Sequence, residues 1–417
     1  MKLRGYFHPP GDKSISHRIA LLSLLAEGQT LVSGYSSGRD CASSLDAVQN
    51  LGVRVDSQSD GLIIRGLGGL VKESASLDCG NSGTTMRLLM GLLAGRPGRF
   101  ELDGDDSLRR RPMERVAAPL RLMGAQVECP NGRPPVLLTG GPLQGLSYEL
   151  PIASAQLKSA LLLAGVQAEG ITQVTEPAPS RDHTERLLTR CGASLKQDGR
   201  TWTVKRSELV LPGSFRVPGD ASSAAFFLCG AAVVPGSRVE ARGVLLNPTR
   251  TGWLKVLERM GADVETFVIE EDSEPWGDAR VRYSPDLRAC EVSAEEIPLL
   301  VDEVLILALV ATQARGRTVF RQVDELRVKE SDRLAAIKAE LSKMGGRLDI
   351  EGSDLIVEGP TRLSSPREEL TAWDDHRIAM TLKIAGIAAG TRVKVRGEEC
   401  AAISYPDFDR TLESLSQ

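Results

Sequence analysis

The chain has 417 residues, 41% hydrophobic and 25% charged, with a formal net charge of −4. That length exceeds one typical core and points to two domains of an ordinary soluble globular protein. The mildly acidic balance excludes a general binder of nucleic acid or of anionic membranes, so any anionic ligand must be met by locally clustered Lys and Arg. Seven cysteines without a CxxC pair fit reduced thiols in a cytosol, most of them small buried hydrophobes. Four histidines without HExxH or Cys/His spacing speak against a zinc site. The opening MKLRGYFHPPGD has no apolar signal core, and no apolar run is long enough to span a bilayer.

The first motif is GDKSISHR, residues 11–18. A nucleotide P-loop needs Gly directly before the Lys and another Gly five residues upstream; Asp12 breaks the first requirement and the second is unmet. An apolar run follows, so Asp12 or Ser14 caps a helix whose N–H groups favour an anion. Lys13 adds a point charge, and Arg18 lies about a turn further on. The competing reading is a capped helix with solvated charges.

GNSGTTMR, 80–87, is a second polar helix start, where Gly80 and Gly83 allow close backbone approach. In LRRRPMERV, 108–116, Pro112 suits a first helical turn and Arg111 can fork onto a carboxylate or phosphate, while Arg109 and Arg110 read as solvated. PIASAQLKSALLLAG offers Ser154 and Gln156 as uncharged hydrogen-bonding groups, and PSRDHTERLL adds Ser180 and Arg181. DASSAAFFLCG reads as a plain cap. LLVDEVLILAL sets Asp302 and Glu303 beside an apolar segment, where a carboxylate could act as a base. RVKESDRL interleaves Lys329, Glu330, Asp332 and Arg333; an exposed helix laced with ion pairs is the plain alternative. WDDHRIAM brings His376 and Arg377.

These starts belong to a pattern that recurs six times: polar start, apolar helix, Gly, strand, amphipathic helix, Gly stop, further strands. LGV, MGA, CGA, MGA and MGG predict left-handed glycines that end the second helices. Six α/β units forming two cores, three per core, account for the period of roughly 70 residues, which exceeds solenoid repeats. If the units are arranged alike, several helix starts converge on one anion-attracting cleft.

Taken together, GDKSISHR, GNSGTTMR, RRRPM, SAQLKSALLLAG, SRDHTER, VKESDRL and DDHRIAM occur in the order seen in the 3-phosphoshikimate 1-carboxyvinyltransferase (enolpyruvylshikimate-phosphate synthase) family, which the chain resembles over nearly its whole length. The resemblance implies a two-domain inside-out α/β barrel of six βαβαββ units, three per domain. Domain one would be 1–11 plus 220–417, domain two 12–219, and the active site would lie in the cleft between them. It implies transfer of the enolpyruvyl group of phosphoenolpyruvate to the 5-hydroxyl of shikimate 3-phosphate through a tetrahedral adduct, by a cytoplasmic monomer without cofactor or metal, and with no nucleic-acid or membrane partner. By motif, Lys13, Ser14, Arg18, Ser154, Gln156, Ser180, Arg181, Asp302 and Lys329 would bind shikimate 3-phosphate. Lys13, Gly83, Arg111, Gln156, Arg333 and Arg377 would bind phosphoenolpyruvate. Asp302, Glu330 and Lys13 would be catalytic, Asp302 taking the 5-hydroxyl proton. Glyphosate would occupy the phosphoenolpyruvate position.

The chain departs from the family pattern at several places. Ala155 stands where many members have a second Ser, Leu88 where many have Pro, Glu325 where Asn is frequent and His183 where some have Tyr. Ile403 replaces a phosphoenolpyruvate-binding Lys of some members. UDP-N-acetylglucosamine enolpyruvyl transferase shares fold and chemistry but uses a loop Cys, absent from DGDDSLRRRPM. A non-catalytic or nucleic-acid-handling protein built from similar units, such as an RNA 3′-phosphate cyclase, would bring ATP dependence and a basic surface, neither of which the sequence supports.

Overall fold

The structure is a computed structural model that describes residues 1–270 and 273–416. It divides into two compact units, one of Met1–Pro10 with Pro218–Gln417 and the other of Gly11–Val217. The N-terminal strand therefore belongs with the C-terminal half.

Among the described residues each unit holds three small sheets, and five of the six have four strands in one common order. The sheet Ser74–Asp78, Gly98–Asp103, Val136–Gly140, Gln126–Glu128 shows the rule: its first two strands are parallel and the others antiparallel. The parallel pair needs a crossover, which a helix supplies. Two sheets take their first strand from elsewhere in the chain. Ser214–Arg216 closes the sheet begun by Gln29–Ser33, pairing Phe215 with Val32. Arg4–Phe7 opens the sheet of Arg238–Leu245, pairing Arg4 with Arg238 and Phe7 with Ala241. The sixth repeat is reduced to two short strands, Leu370–Thr371 and Val395–Arg396.

Every repeat buries one helix on all sides. All residues of Ala221–Val233 and Val304–Ala311 are buried, Gly83–Ala94, Ala155–Gly165 and Lys13–Leu22 are buried beyond their first turn, and His376–Ala388 is buried as far as Ile387. A helix apolar all round has nowhere else to go. The second helices, among them Arg39–Asn50, His183–Arg190 and Arg333–Lys343, keep one wet face. Gly52, Gly124, Gly192, Gly261 and Gly345 follow such helices with φ between 88° and 115°, so the expected left-handed stops are present. Two local expectations change. Pro112 precedes the helix Glu114–Leu122, with Met113 at its cap. The charged RVKESDRL segment is a short 3-10 turn, Asp324–Val328, then irregular chain, and the helix begins only at Arg333 under the Asp332 cap.

Within Gly11–Val217 the buried helices Gly83–Ala94 and Ala155–Gly165 meet backbone to backbone at Gly91. A Cβ there would lie 2.7 Å from Ala160 Cα and 2.8 Å from its carbonyl carbon. Gly91→Ala is therefore expected to cost about 1–3 kcal/mol through overpacking, outweighing the ~0.5–1 kcal/mol that Ala gains in a helix. Urea unfolding checks this; an unchanged midpoint would show that the two helices have room to part.

Candidate active site

The candidate residues fall into two groups, one in each unit. In Gly11–Val217, the helix Lys13–Leu22 opens at Asp12, whose carboxylate accepts from Ile15 N at 2.9 Å. Asp12, not Ser14, is thus the cap. Lys13 is ion-paired with Asp40 of the neighbouring helix Arg39–Asn50. Arg18 is buried and gripped from three directions: Nη1 donates to the Ser14 carbonyl at 2.9 Å, Nε to Thr184 Oγ1 at 2.7 Å and Nη2 to Ser159 Oγ at 2.9 Å. Beside it lies a small, mostly apolar cavity lined by Leu21, Leu88, Leu163 and Leu188 together with Thr184.

Ser82 caps Gly83–Ala94 by accepting from Thr85 N at 3.1 Å. Arg87, one turn in, donates to Gln156 Oε1 at 2.6 Å and to the Pro112 carbonyl at 3.1 Å; Gln156 in turn donates to Thr84 Oγ1 at 2.8 Å. Arg111 donates to Asn81 Oδ1 at 2.7 Å and to Ser107 Oγ at 3.1 Å. A Cβ on Gly83 would stand 2.8 Å from Arg87 Nη1 and 3.5 Å from Arg111 Nη1, so this glycine borders both guanidinium groups. Ser154 caps Ala155–Gly165 through Leu157 N at 3.4 Å. Ser180 donates to Glu176, and Arg181 follows in the turn before His183–Arg190.

In the other unit Arg333 is the centre. It is 1% exposed, and three carboxylates converge on it: Asp375 on Nε at 2.7 Å, Glu330 on Nη2 at 2.7 Å and Asp302 on Nη1 at 3.2 Å. Those carboxylates raise its pKa against the burial that would lower it. Arg377 approaches the second oxygen of Asp302 at 3.4 Å. Asp375 also caps His376–Ala388 through Arg377 N at 2.9 Å. Lys329 donates to Glu325 at 3.1 Å, so the residue found where Asn is frequent gives this ammonium a charged partner. Asp302 is flanked by two guanidinium groups and does not stand alone against an apolar wall, as its sequence context suggested.

The comparisons with known proteins bear on this arrangement. The family model for EPSP synthase (3-phosphoshikimate 1-carboxyvinyltransferase) matches residues 1–412. The chain belongs to this family. The 3-phosphoshikimate 1-carboxyvinyltransferase of Synechococcus sp. (strain JA-3-3Ab) is 48% identical over 422 residues, spanning 99% of this chain and 94% of that one. Its counterpart from Bacillus licheniformis is 43% identical over 423 residues, spanning 100% and 98%. The solved EPSP synthase of Acinetobacter baumannii aligns with a TM-score of 0.87 at 40% identity, over 100% of this chain and 96% of that chain. The inside-out α/β fold of the EPSP synthase family is thus the fold of this chain, with buried helices in each unit and sheets outside them.

The structure adds residues that the motifs did not single out. Asp40 holds Lys13, Asn81 holds Arg111 and Asp375 holds Arg333. Arg250, 2% exposed, donates to Ser222 at 2.8 Å beside the Asp220 cap, so the start of the DASS helix carries more than a plain cap. Asp375 was within reach as the second acid of WDDHRIAM; no local signal marks Asp40, Asn81 or Arg250 as partners.

His17 lies on the buried side of the Lys13–Leu22 helix, its Nδ1 2.8 Å from Ser44 Oγ. Ser44 Oγ lies 2.8 Å from Thr85 Oγ1, which donates to the Ser82 cap at 2.8 Å, so a hydroxyl chain ties three helices together. Burial first, then the Lys13 ammonium, lower the His17 pKa from 6.5 to about 3; Asp40 opposes and Arg18 adds to the effect. With the folded pKa below the unfolded one, the unfolded chain binds the extra proton throughout that interval. Stability is therefore full above pH 6.5 and falls as pH drops from 6.5 towards 3. His17→Gln should flatten the acid limb by up to ~1.4 kcal/mol per pH unit within this window. Urea titrations of both proteins across it measure this, and parallel curves would mean that His17 charges freely in the folded state.

Proposed function

We propose that the protein transfers the enolpyruvyl group of phosphoenolpyruvate to the 5-hydroxyl of shikimate 3-phosphate, releasing phosphate, as a step of the shikimate pathway. One observation carries the reading: the residues of seven motifs, found in family order, fold to helix starts, four of them the starts of buried helices, and form two clusters of cations and carboxylates. Both substrates carry several negative charges, and helix starts with fixed Lys and Arg are built to meet them.

In this proposal Lys13, Ser14, Arg18, Ser154, Gln156, Ser180 and Arg181 take shikimate 3-phosphate, with Asp302 and Lys329 on its reacting side. Lys13, Gly83, Arg111, Gln156, Arg333 and Arg377 take phosphoenolpyruvate, and the protein acts as a cytoplasmic monomer. Asp302 accepts the 5-hydroxyl proton as the oxygen bonds to C2, and Glu330 or Lys13 delivers a proton to C3. The tetrahedral adduct then expels phosphate as C3 gives its proton back and the double bond re-forms. Arg333 and Arg377 already face the Asp302 carboxylate, so a carboxylate of phosphoenolpyruvate meets donors in position.

The test is phosphate release from phosphoenolpyruvate with no acceptor, with shikimate 3-phosphate, or with UDP-N-acetylglucosamine. Release with shikimate 3-phosphate alone is expected; release with the nucleotide sugar instead would replace the reading by its nearest rival. Lys13→Ala should lower kcat/KM by about 2–5 kcal/mol in transition-state terms while the chain stays folded, because a charge-assisted contact to both anions is lost. Near-normal kinetics at low substrate would remove Lys13 from the site. Glyphosate should compete with phosphoenolpyruvate, and Gly83→Ala should weaken that inhibition. The added methyl presses on Arg87 Nη1, the far end of a side chain that also holds Gln156, so Gly83→Ala should raise the phosphoenolpyruvate KM less than the glyphosate inhibition constant. Equal shifts in both constants would contradict this.

A further inference from the structure

The helix Ala155–Gly165 carries a charged residue at its buried side. Lys158 Nζ stands 2.7 Å from Glu176 Oε2 and 2.7 Å from Glu185 Oε1, and all three side chains are at most 4% exposed. One ammonium therefore faces two carboxylates where water does not reach. Burial pushes the Glu185 carboxyl up, with Lys158 opposing. Burial alone would lower the Lys158 pKa, and Glu185 and Glu176 more than restore it. The remaining oxygen of Glu176, Oε1, accepts the hydroxyl proton of Ser180.

A serine hydroxyl has a single proton to donate, and an ionised phosphate oxygen can only accept one. A phosphate at Ser180 must therefore draw that proton away from Glu176. We infer that Glu176 is a positioning residue that competes with the substrate phosphate for the Ser180 proton, and that Lys158 sets how strongly it competes by neutralising its charge. The inference rests on the reading of Ser180 as a contact of shikimate 3-phosphate. The same network reaches Arg18, another proposed contact of shikimate 3-phosphate. Ser159 and Thr184, the chain neighbours of Lys158 and Glu185, lie 2.6 Å apart at their hydroxyls and hold Arg18 through Nη2 and Nε. Glu176 is thus the acceptor that the bound anion displaces, and the Lys158 network keeps both the serine and the arginine aimed while it does so.

The charge count makes the test sharp. Glu176→Gln removes the surplus carboxylate and leaves Lys158 matched to Glu185, so the fold should survive. The amide can donate to Ser180 Oγ, which frees the hydroxyl proton for the ligand. Calorimetric titration with shikimate 3-phosphate, without phosphoenolpyruvate, should show binding tightened by about 10-fold. The KM for phosphoenolpyruvate should stay within about 2-fold, because Glu176 bonds none of the groups proposed to hold it and sites without shared partners couple weakly. A side chain that only supported the fold would leave affinity unchanged or weaken it. Glu176→Asp, which keeps the charge but withdraws its oxygen from Ser180, should also tighten binding, and it serves if the amide variant does not fold. Ser180→Ala should bind more weakly than wild type, and adding Glu176→Gln to it should change nothing more. Wild-type or weaker affinity in both Glu176 variants, or tightening that persists in the double variant, overturns the inference. Failure of the wild type to bind shikimate 3-phosphate overturns the functional reading itself, and this inference with it.

Discussion

A helix that is apolar on every side can show polarity only where it begins. Each unit of this protein encloses three such helices, and that constraint fixes where chemistry can be placed. The first N–H groups of a buried helix have no partner within it, so a cap such as Asp12, Ser82, Ser154, Asp220 or Asp375 is required. Side chains near that cap are the ones free to leave the core. Lys13, Ser14, Gly83, Gln156 and Arg377 all occupy these first turns, and Arg333 opens the amphipathic helix Arg333–Lys343. The fifth buried helix is the exception. Val304–Ala311 has no side-chain cap bond and is entered through the 3-10 turn Val301–Glu303, which carries Asp302.

Charge placed in these first turns is partly buried, so it needs partners. Removing one partner of a buried ion pair typically costs about 3–5 kcal/mol, whereas exposed pairs contribute ~1 kcal/mol or less. The pairs on the sheet surface, such as Arg317 with Glu351, belong to the weak class; Arg333 among Asp302, Glu330 and Asp375, and Lys158 between Glu176 and Glu185, belong to the strong one. The strong pairs tie reacting groups to structural ones. Asp375 holds Arg333 and caps a helix with the same carboxylate, so the position of the guanidinium and the start of that helix are one geometric fact.

Much of this was legible in the sequence, for physical reasons that also mark the boundary. Polar openings stand out against apolar runs, and Gly is nearly obligatory at the left-handed stop, so helix starts, helix ends and the sixfold repeat could be read locally. The first strand of each parallel pair was harder, because strands such as Ser214–Arg216 and Ser147–Glu149 are only three residues long. Most charge partners carried no local signal. Lys158 is visible inside SAQLKSALLLAG, but Glu176 and Glu185 lie in other elements, and nothing in the local pattern names them. RVKESDRL misled in the opposite direction: the charge spacing suits a helix, but the chain turns there, and Arg333 is held by Asp302 and Asp375 from other elements as well as by Glu330 three residues before it.

The parallel pairing of Arg4–Phe7 with Arg238–Leu245 orders events during synthesis on the ribosome. Residues 11–217 form a continuous stretch and can close as soon as Ser214–Arg216 emerges to complete the sheet of Gln29–Ser33. The strand Arg4–Phe7 has no such opportunity. Its hydrogen-bonding partner is more than 230 residues downstream, so it waits unpaired while the intervening unit folds. Its sequence suits that wait: of RGYF only Phe7 becomes buried, and Gly5 adopts a φ of 119°, so the segment has little tendency to pair with strangers before its own sheet arrives.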